Sequence, residues 1–300
     1  MTQNKCCRHG ASLRRRRRRH RKILRSVIFS CSIIAGAVFV AVGSRMITSG
    51  DGGTNKYDVE AGNNTYDNAV IENSKISENN KIQNEQSMLD DIMNSTQYPK
   101  QLKDLALKNE EALEFVYDYP AEHVKEHTID LTEEASMDSV PLFVQWDKRW
   151  GCLAYGDDSN VAISGCGPTT LAMAVVALTG NEEATPAAIA KFAMQEGYYM
   201  SGTGTMWSLM TEGAAAYGVR SEQINISQIE IKQHLDQGDI VICSVRQGDF
   251  TTGGHFILLY DYDDEGFSIN DPFSLYRSGQ KWDYGKIRSQ IKAVWALKAK

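Results

Sequence analysis

Apolar and polar positions follow three different periods along this chain of 300 residues. From Ser26 to Ser44 nineteen residues pass without a charge, most of them Val, Ile, Phe or Ala. About 20 apolar residues, rising roughly 1.5 Å each, span the ~30 Å hydrocarbon core of a bilayer, so this stretch predicts a transmembrane helix. Residues 45–96 are rich in Asn, Ser, Asp and Glu and carry no sustained apolar period. Such a segment buries too little surface to offset its chain entropy, which predicts a disordered stalk. A helical period begins after Tyr98: Leu102, Leu105, Leu113 and Val116, with Ala106 and Ala112, predict a helix that Tyr119-Pro120 stops. A second helix is expected from Gly167-Pro168 to Gly180, and a third from Thr185-Pro186 to about Gly197. A fourth runs from Thr205 to Tyr217, closed by Gly218. A fifth opens on the capping box Ser227 to Glu230 and ends at Gly238. The pattern then shortens. Asp239–Val245, His255–Tyr260, Gly266–Asn270 and Ala293–Leu297 read as strands separated by Gly and Asp turns. Helices followed by an antiparallel sheet make an α+β domain.

Charge sharpens this organisation. Residues 1–25 hold 11 of the 32 Lys and Arg and no acidic residue, whereas the chain from Ser44 onward holds 21 basic against 38 acidic, a balance of −17. The Arg14–Arg19 run beside the apolar span places the N-terminus in the cytoplasm and the remainder on the outer side. The chain thus divides into a basic head (1–25), a signal-anchor (26–44), a stalk (45–96), a helical pre-core segment (97–136) and a folded domain (137–300). The alternative is a cleaved signal peptide, secreting the rest, with Ala41-Val42-Gly43 as a small-residue site. An acidic body excludes nucleic acid as the main partner, because phosphate recognition needs clustered cations. Six cysteines without dense spacing exclude a small disulfide scaffold. No Cys/His set has ligand spacing and no phosphate-cradling glycine motif occurs, so neither a metal nor a nucleotide cofactor is expected.

The sharpest chemical feature is Ser164-Gly165-Cys166-Gly167-Pro168-Thr169-Thr170, a cysteine between glycines at the start of a predicted helix. A helix N-terminus favours the thiolate, which is the nucleophilic form, and the Cys166 N–H can meet a developing oxyanion. The flanking glycines leave room for a substrate to approach the sulfur. Of the histidines in the body, His123, His127 and His234 lie among charged residues and read as surface. His255 follows Thr251-Thr252-Gly253-Gly254 and opens an apolar strand, where it can act as the base. Asn270 or Asp271, at the end of the next strand, can fix its tautomer. Gln145, ahead of Trp146, can donate to an oxyanion. Gly202–Trp207 is a candidate cleft wall, and Cys152 and Cys243 read as two buried thiols.

Taken in order, Gln145-Trp-Asp-Lys-Arg-Trp150-Gly, Gly165-Cys-Gly-Pro-Thr-Thr-Leu-Ala-Met173, Gly253-Gly-His-Phe-Ile-Leu258 and Asn270-Asp-Pro272 resemble the C39-like cysteine peptidases across about 137–300. The resemblance implies a papain-like fold, with Cys166 as nucleophile, His255 as base, Asp271 as orienter and Gln145 as oxyanion donor. It implies cleavage of a peptide or protein substrate, cell-wall peptide among the candidates, at a bacterial surface. Two departures stand out. In the bacteriocin-processing relatives the Gln lies a few residues before the Cys, whereas here the gap is 21 residues. Those relatives are also usually fused to an exporter ATPase, of which this chain carries no motif. The alternatives are a peptidoglycan amidase or endopeptidase, and a non-catalytic module that binds peptides or wall fragments.

Overall fold

The computed structural model describes residues 64–300. The basic head, the apolar span at 26–44 and the first part of the stalk lie outside the described residues. Among the described residues no helix is long and apolar enough to cross a membrane. The described residues fall into two units, 64–87 and 88–300.

The chain opens on α1 (Asn64–Asn94), which corrects the expectation of a disordered stalk over these residues. Its 31 residues include no glycine or proline to break a helix. Its last turns also have a partner, since Ile92 is fully buried and Met88 and Leu89 pack against the same cluster. The helix expected from Tyr98 is two helices, α2 (Lys100–Lys108) and α3 (Leu113–Glu122), joined by a 3-10 turn at Glu110–Ala112. The break falls at Asn109, whose extended backbone ends α2 and whose side chain caps the next turn by accepting from the Glu111 N–H. Pro120 does not stop α3. It lies inside the helix near its end, at the cost of the hydrogen bond its N–H would make and of a ring crowding the carbonyl four residues back.

After α4 (Thr132–Ser136) and α5 (Val161–Ser164) comes α6 (Cys166–Thr179), closed by Gly180 in the left-handed region. Every residue from Gly167 to Leu178 is buried, so α6 is enclosed on all sides rather than amphipathic. It packs beside α7 (Pro186–Gln195), whose N-cap Thr185 accepts from the Ala188 N–H. The expected fourth helix is broken. Positive φ at Gly202 and Gly204 turns the chain into a small hairpin, β1 (Tyr199–Met200) and β2 (Gly204–Thr205), ahead of a 3-10 turn at Trp207–Met210 and α8 (Glu212–Ala216).

The main sheet is antiparallel and six-stranded. It uses β3 (Val219–Ile224), β4 (Ile240–Val245), β5 (His255–Tyr262), β6 (Phe267–Asn270), β7 (Lys281–Trp282) and β8 (Ile291–Ala299), in the order β3-β8-β4-β5-β6-β7. Ile242, Phe256, Leu258 and Trp295 meet α6 and α7 on one face. Val241, Cys243, Ile257 and Leu259 meet Ile231 and Leu235 of α9 (Gln228–Gln237) and Ile287 of α11 (Tyr284–Arg288) on the other. A strand covered on both faces reads as an unbroken apolar run, which is why Asp239–Val245 was legible. The edge strand β3 pairs on one side only and reads Val-Arg-Ser-Glu-Gln-Ile, too polar to announce itself. The short α10 (Leu275–Ser278) follows β6.

Candidate active site

Cys166 is the first residue of α6 and is partly exposed, at the end of an otherwise buried helix. One turn on, the Thr170 hydroxyl donates to the Phe256 carbonyl at 3.3 Å and ties α6 to the start of β5. His255 opens β5, one residue before that tether, with 6% of its surface exposed. The β5–β6 pairing, Leu258 opposite Asn270, brings the next strand's end alongside. There the His255 Nε2–H donates to Asp271 Oδ1 at 2.7 Å. A ring that gives Nε2–H to a carboxylate has Nδ1 left over, and Cys166 is among the groups that raise the ring's pKa. Of the two candidate orienters, Asp271 therefore meets the ring. Asn270 turns away, donating from Nδ2 to the Pro141 carbonyl at 2.9 Å.

Asp271 is fully buried and saturated with donors. Its Oδ1 also accepts from the Phe273 N–H at 2.8 Å, and its Oδ2 accepts from Arg277 Nε at 2.6 Å. Burial works to raise its pKa, but the charges and hydrogen bonds of His255 and Arg277 hold the carboxyl below its ordinary value. For His255, burial alone would push the pKa down. The Asp271 charge and hydrogen bond, followed by those of Cys166, overcome this and raise it to about 10. A raised folded pKa stabilises the fold fully below the unfolded value of ~6.5, and that stability is lost as pH rises through the folded value. Between pH 7 and 10 the wild type is therefore expected to lose stability faster than His255→Gln, by up to ~1.4 kcal/mol per pH unit. Urea unfolding at the two pH values checks this. Equal losses would contradict it.

Gln145 lies between the Cys166 and Asp271 segments. Its backbone N–H donates to the Pro272 carbonyl at 2.7 Å, and its Nε2 donates to the Ala162 carbonyl at 2.6 Å, four residues before Cys166. One amide hydrogen is thus committed to the backbone, and its buried Oε1 has no partner. The glycines beside Cys166 correct the expectation that they leave room for substrate. A Cβ on Gly165 would stand 2.5 Å from the Val161 carbonyl oxygen, and one on Gly167 would stand 2.6 Å from Thr205 Cγ2. Both are glycine because the neighbouring chain is packed against them. Thr205 is itself held by the buried Tyr155, hydroxyl to hydroxyl at 2.7 Å. The β1–β2 hairpin therefore packs beside the cysteine, and Trp207 just beyond it is 41% exposed.

The other histidines among the described residues lie elsewhere. His123 stacks on Tyr119, and His127 lies 3.2 Å from Glu122. His234 is not a free surface residue, because its Nδ1 lies 2.9 Å from the buried Asp239. Cys152 and Cys243 are free thiols in separate hydrophobic clusters. Burial raises both, Cys152 to about 11. Asn109 and Glu111, which also reach this site, were not foreseen from the sequence.

A family model, described as the Peptidase_C39 like family, matches residues 137–300. The chain belongs to that family. The match covers the sheet, α6 and the four segments that carry Gln145, Cys166, His255 and Asp271, and it begins after the pre-core helices α2 and α3. No curated protein matches the sequence. A mixed domain of helices and antiparallel sheet, with cysteine at a helix start and histidine at a strand start, is the architecture of this C39-like domain.

Proposed function

We propose that the C39-like domain is a cysteine peptidase of papain-like fold, carried on the outer side of a membrane by the apolar span at 26–44. The observation that carries the reading is the hydrogen bond of 2.7 Å between His255 Nε2 and the buried Asp271, which leaves Nδ1 for Cys166. With its pKa raised to about 10, the ring holds its proton at neutral pH. The Cys166 sulfur attacks the carbonyl carbon of the scissile bond and forms a tetrahedral intermediate. The Cys166 N–H at the start of α6, with the second amide hydrogen of Gln145, receives the oxyanion. His255 Nδ1–H then protonates the leaving amine, the C–N bond breaks and a thioester remains. Neutral His255 next takes a proton from water as the hydroxide adds to the thioester, the C–S bond breaks to release the acid, and the freed sulfur again faces a protonated His255. Asp271 keeps the ring in one tautomer and stabilises its charged form throughout.

The test is a mixed peptide library added to intact cells that carry the full chain, with new peptide termini read by mass spectrometry. Products are expected in the medium and are expected to vanish with Cys166→Ala. Products only after lysis would overturn the outward orientation. Their absence in both, or their persistence with Cys166→Ala, would overturn the peptidase reading. Binding of the same peptides without turnover would identify a recognition module instead.

A further inference from the structure

The contacts that hold Asp271 do not end within the family domain. Asp271 begins a tight loop that α10 closes. Its N–H donates to Ser278 Oγ at 2.8 Å, its Oδ1 takes the Phe273 N–H, and its Oδ2 takes Arg277 Nε from the middle of α10. The Phe273 ring stands edge-on to the His255 ring, with centroids 6.3 Å apart. The orientation of the carboxylate thus depends on where residues 273–277 lie.

Two side chains from the 3-10 turn between α2 and α3 grip those residues. Glu111 Oε2 accepts from the Leu275 N–H at 2.5 Å, while its Oε1 accepts from Ser274 Oγ at 2.5 Å and from the Tyr276 N–H at 3.3 Å. Asn109, which is buried, donates from Nδ2 to the Phe273 carbonyl at 2.9 Å, and its Oδ1 accepts from the Glu111 N–H at 3.1 Å. Hydrogen bonds to a carboxylate are the stronger kind, and here one carboxylate collects three donors from consecutive residues. Phe273 also packs into the cluster formed by Leu102, Leu105, Leu113 and Val116. Both gripping residues precede the matched segment, which begins at 137.

We propose that Glu111, supported by Asn109, is a positioning residue for the His255–Asp271 pair, which makes the helices before the family domain an integral part of the site rather than a removable cover. The inference rests on the peptidase reading for its consequence in turnover, but not for its effect on the pair itself. Glu111 holds Ser274 to Tyr276, these hold Arg277 and Phe273, and those two hold the carboxylate that orients the imidazole. A small displacement of a supporting element lowers turnover by up to about a hundredfold without weakening substrate binding.

The full chain is compared with Glu111→Ala, Glu111→Gln and Asn109→Ala, each assayed well below its own melting temperature. The first readout is the low-field proton resonance of His255 Nε2–H, identified by its loss in His255→Ala. The second is kcat and KM on a cleaved peptide. Glu111→Ala is expected to shift or broaden the resonance and to lower kcat about tenfold or more, with KM unchanged. Glu111→Gln keeps one acceptor oxygen and is expected to recover part of both, and Asn109→Ala to show a smaller effect in the same direction. An unaltered resonance with unaltered kcat in Glu111→Ala overturns the inference, as does a kcat loss no larger than the loss of folded protein. Higher activity on removing residues 97–122 from the full chain also overturns it, because the segment would then be a cover. A wild type that cleaves nothing overturns the peptidase reading alone, since the resonance still reports on the clasp.

Discussion

Asp271→Ala is expected to lower the stability of the fold by about 3–5 kcal/mol, the cost of removing one partner from a buried ion pair. The carboxylate is fully buried and receives three donors, from His255, Phe273 and Arg277. Alanine leaves Arg277 charged without an anion and His255 without its acceptor. Arg277 is the more exacting of them, because its Nη2 is buried and already without a partner. His255 would lose the interaction that raises its pKa, so burial would dominate and the neutral ring would be favoured at pH 7. Asp271→Asn keeps the volume and an acceptor oxygen for the ring but not the charge, so its loss should fall between wild type and alanine. Urea unfolding at pH 7 of wild type and both variants measures the series. A change within ~0.5 kcal/mol for Asp271→Ala would mean that the pair is looser than its geometry implies.

The parts of this site that share one local segment were legible in the sequence, and those that depend on distant segments were not. Gly165-Cys166-Gly167 at a helix start, the glycines before His255 and the following strand end were readable because each is a short motif with its own conformational reason. The choice between Asn270 and Asp271 was not, since neighbouring residues at a strand end point in different directions and only the three-dimensional course shows that Asn270 faces Pro141. The glycines were recognised as meaningful but for the wrong cause. The atoms that exclude a Cβ belong to Val161, four residues back, and to Thr205, on a hairpin nearly forty residues on. Asn109 and Glu111 meet residues 163 to 165 positions downstream, a separation that no local pattern encodes. In the fold, strands buried on both faces were evident and the polar edge strand β3 was not. The helix α1 went unrecognised because its polar composition resembles that of a disordered segment until the packing of Ile92 is seen.

The remaining large effect is on the reactivity of Cys166. General acid–base partners typically contribute 10²–10⁴-fold, so removal of the imidazole by His255→Ala is expected to slow reaction at the sulfur by at least about a hundredfold. The chain carries its own internal standards. Cys152 is half-buried, with its thiol raised to about 11, and Cys243 is fully buried with its thiol raised further, so both should react slowly under native conditions whatever happens at His255. Helix position and partial exposure alone would leave Cys166 accessible in the variant, so a fall in its rate isolates the contribution of the ring. The direct measurement is the rate of iodoacetamide alkylation of the folded full chain near pH 6, resolved by peptide mapping into Cys166, Cys152 and Cys243, in wild type and His255→Ala. The account predicts that Cys166 is modified far ahead of the other two in the wild type and loses most of that lead in the variant, while Cys152 and Cys243 are unchanged. Modification of Cys166 no faster than Cys152, or at a rate indifferent to His255, would contradict it.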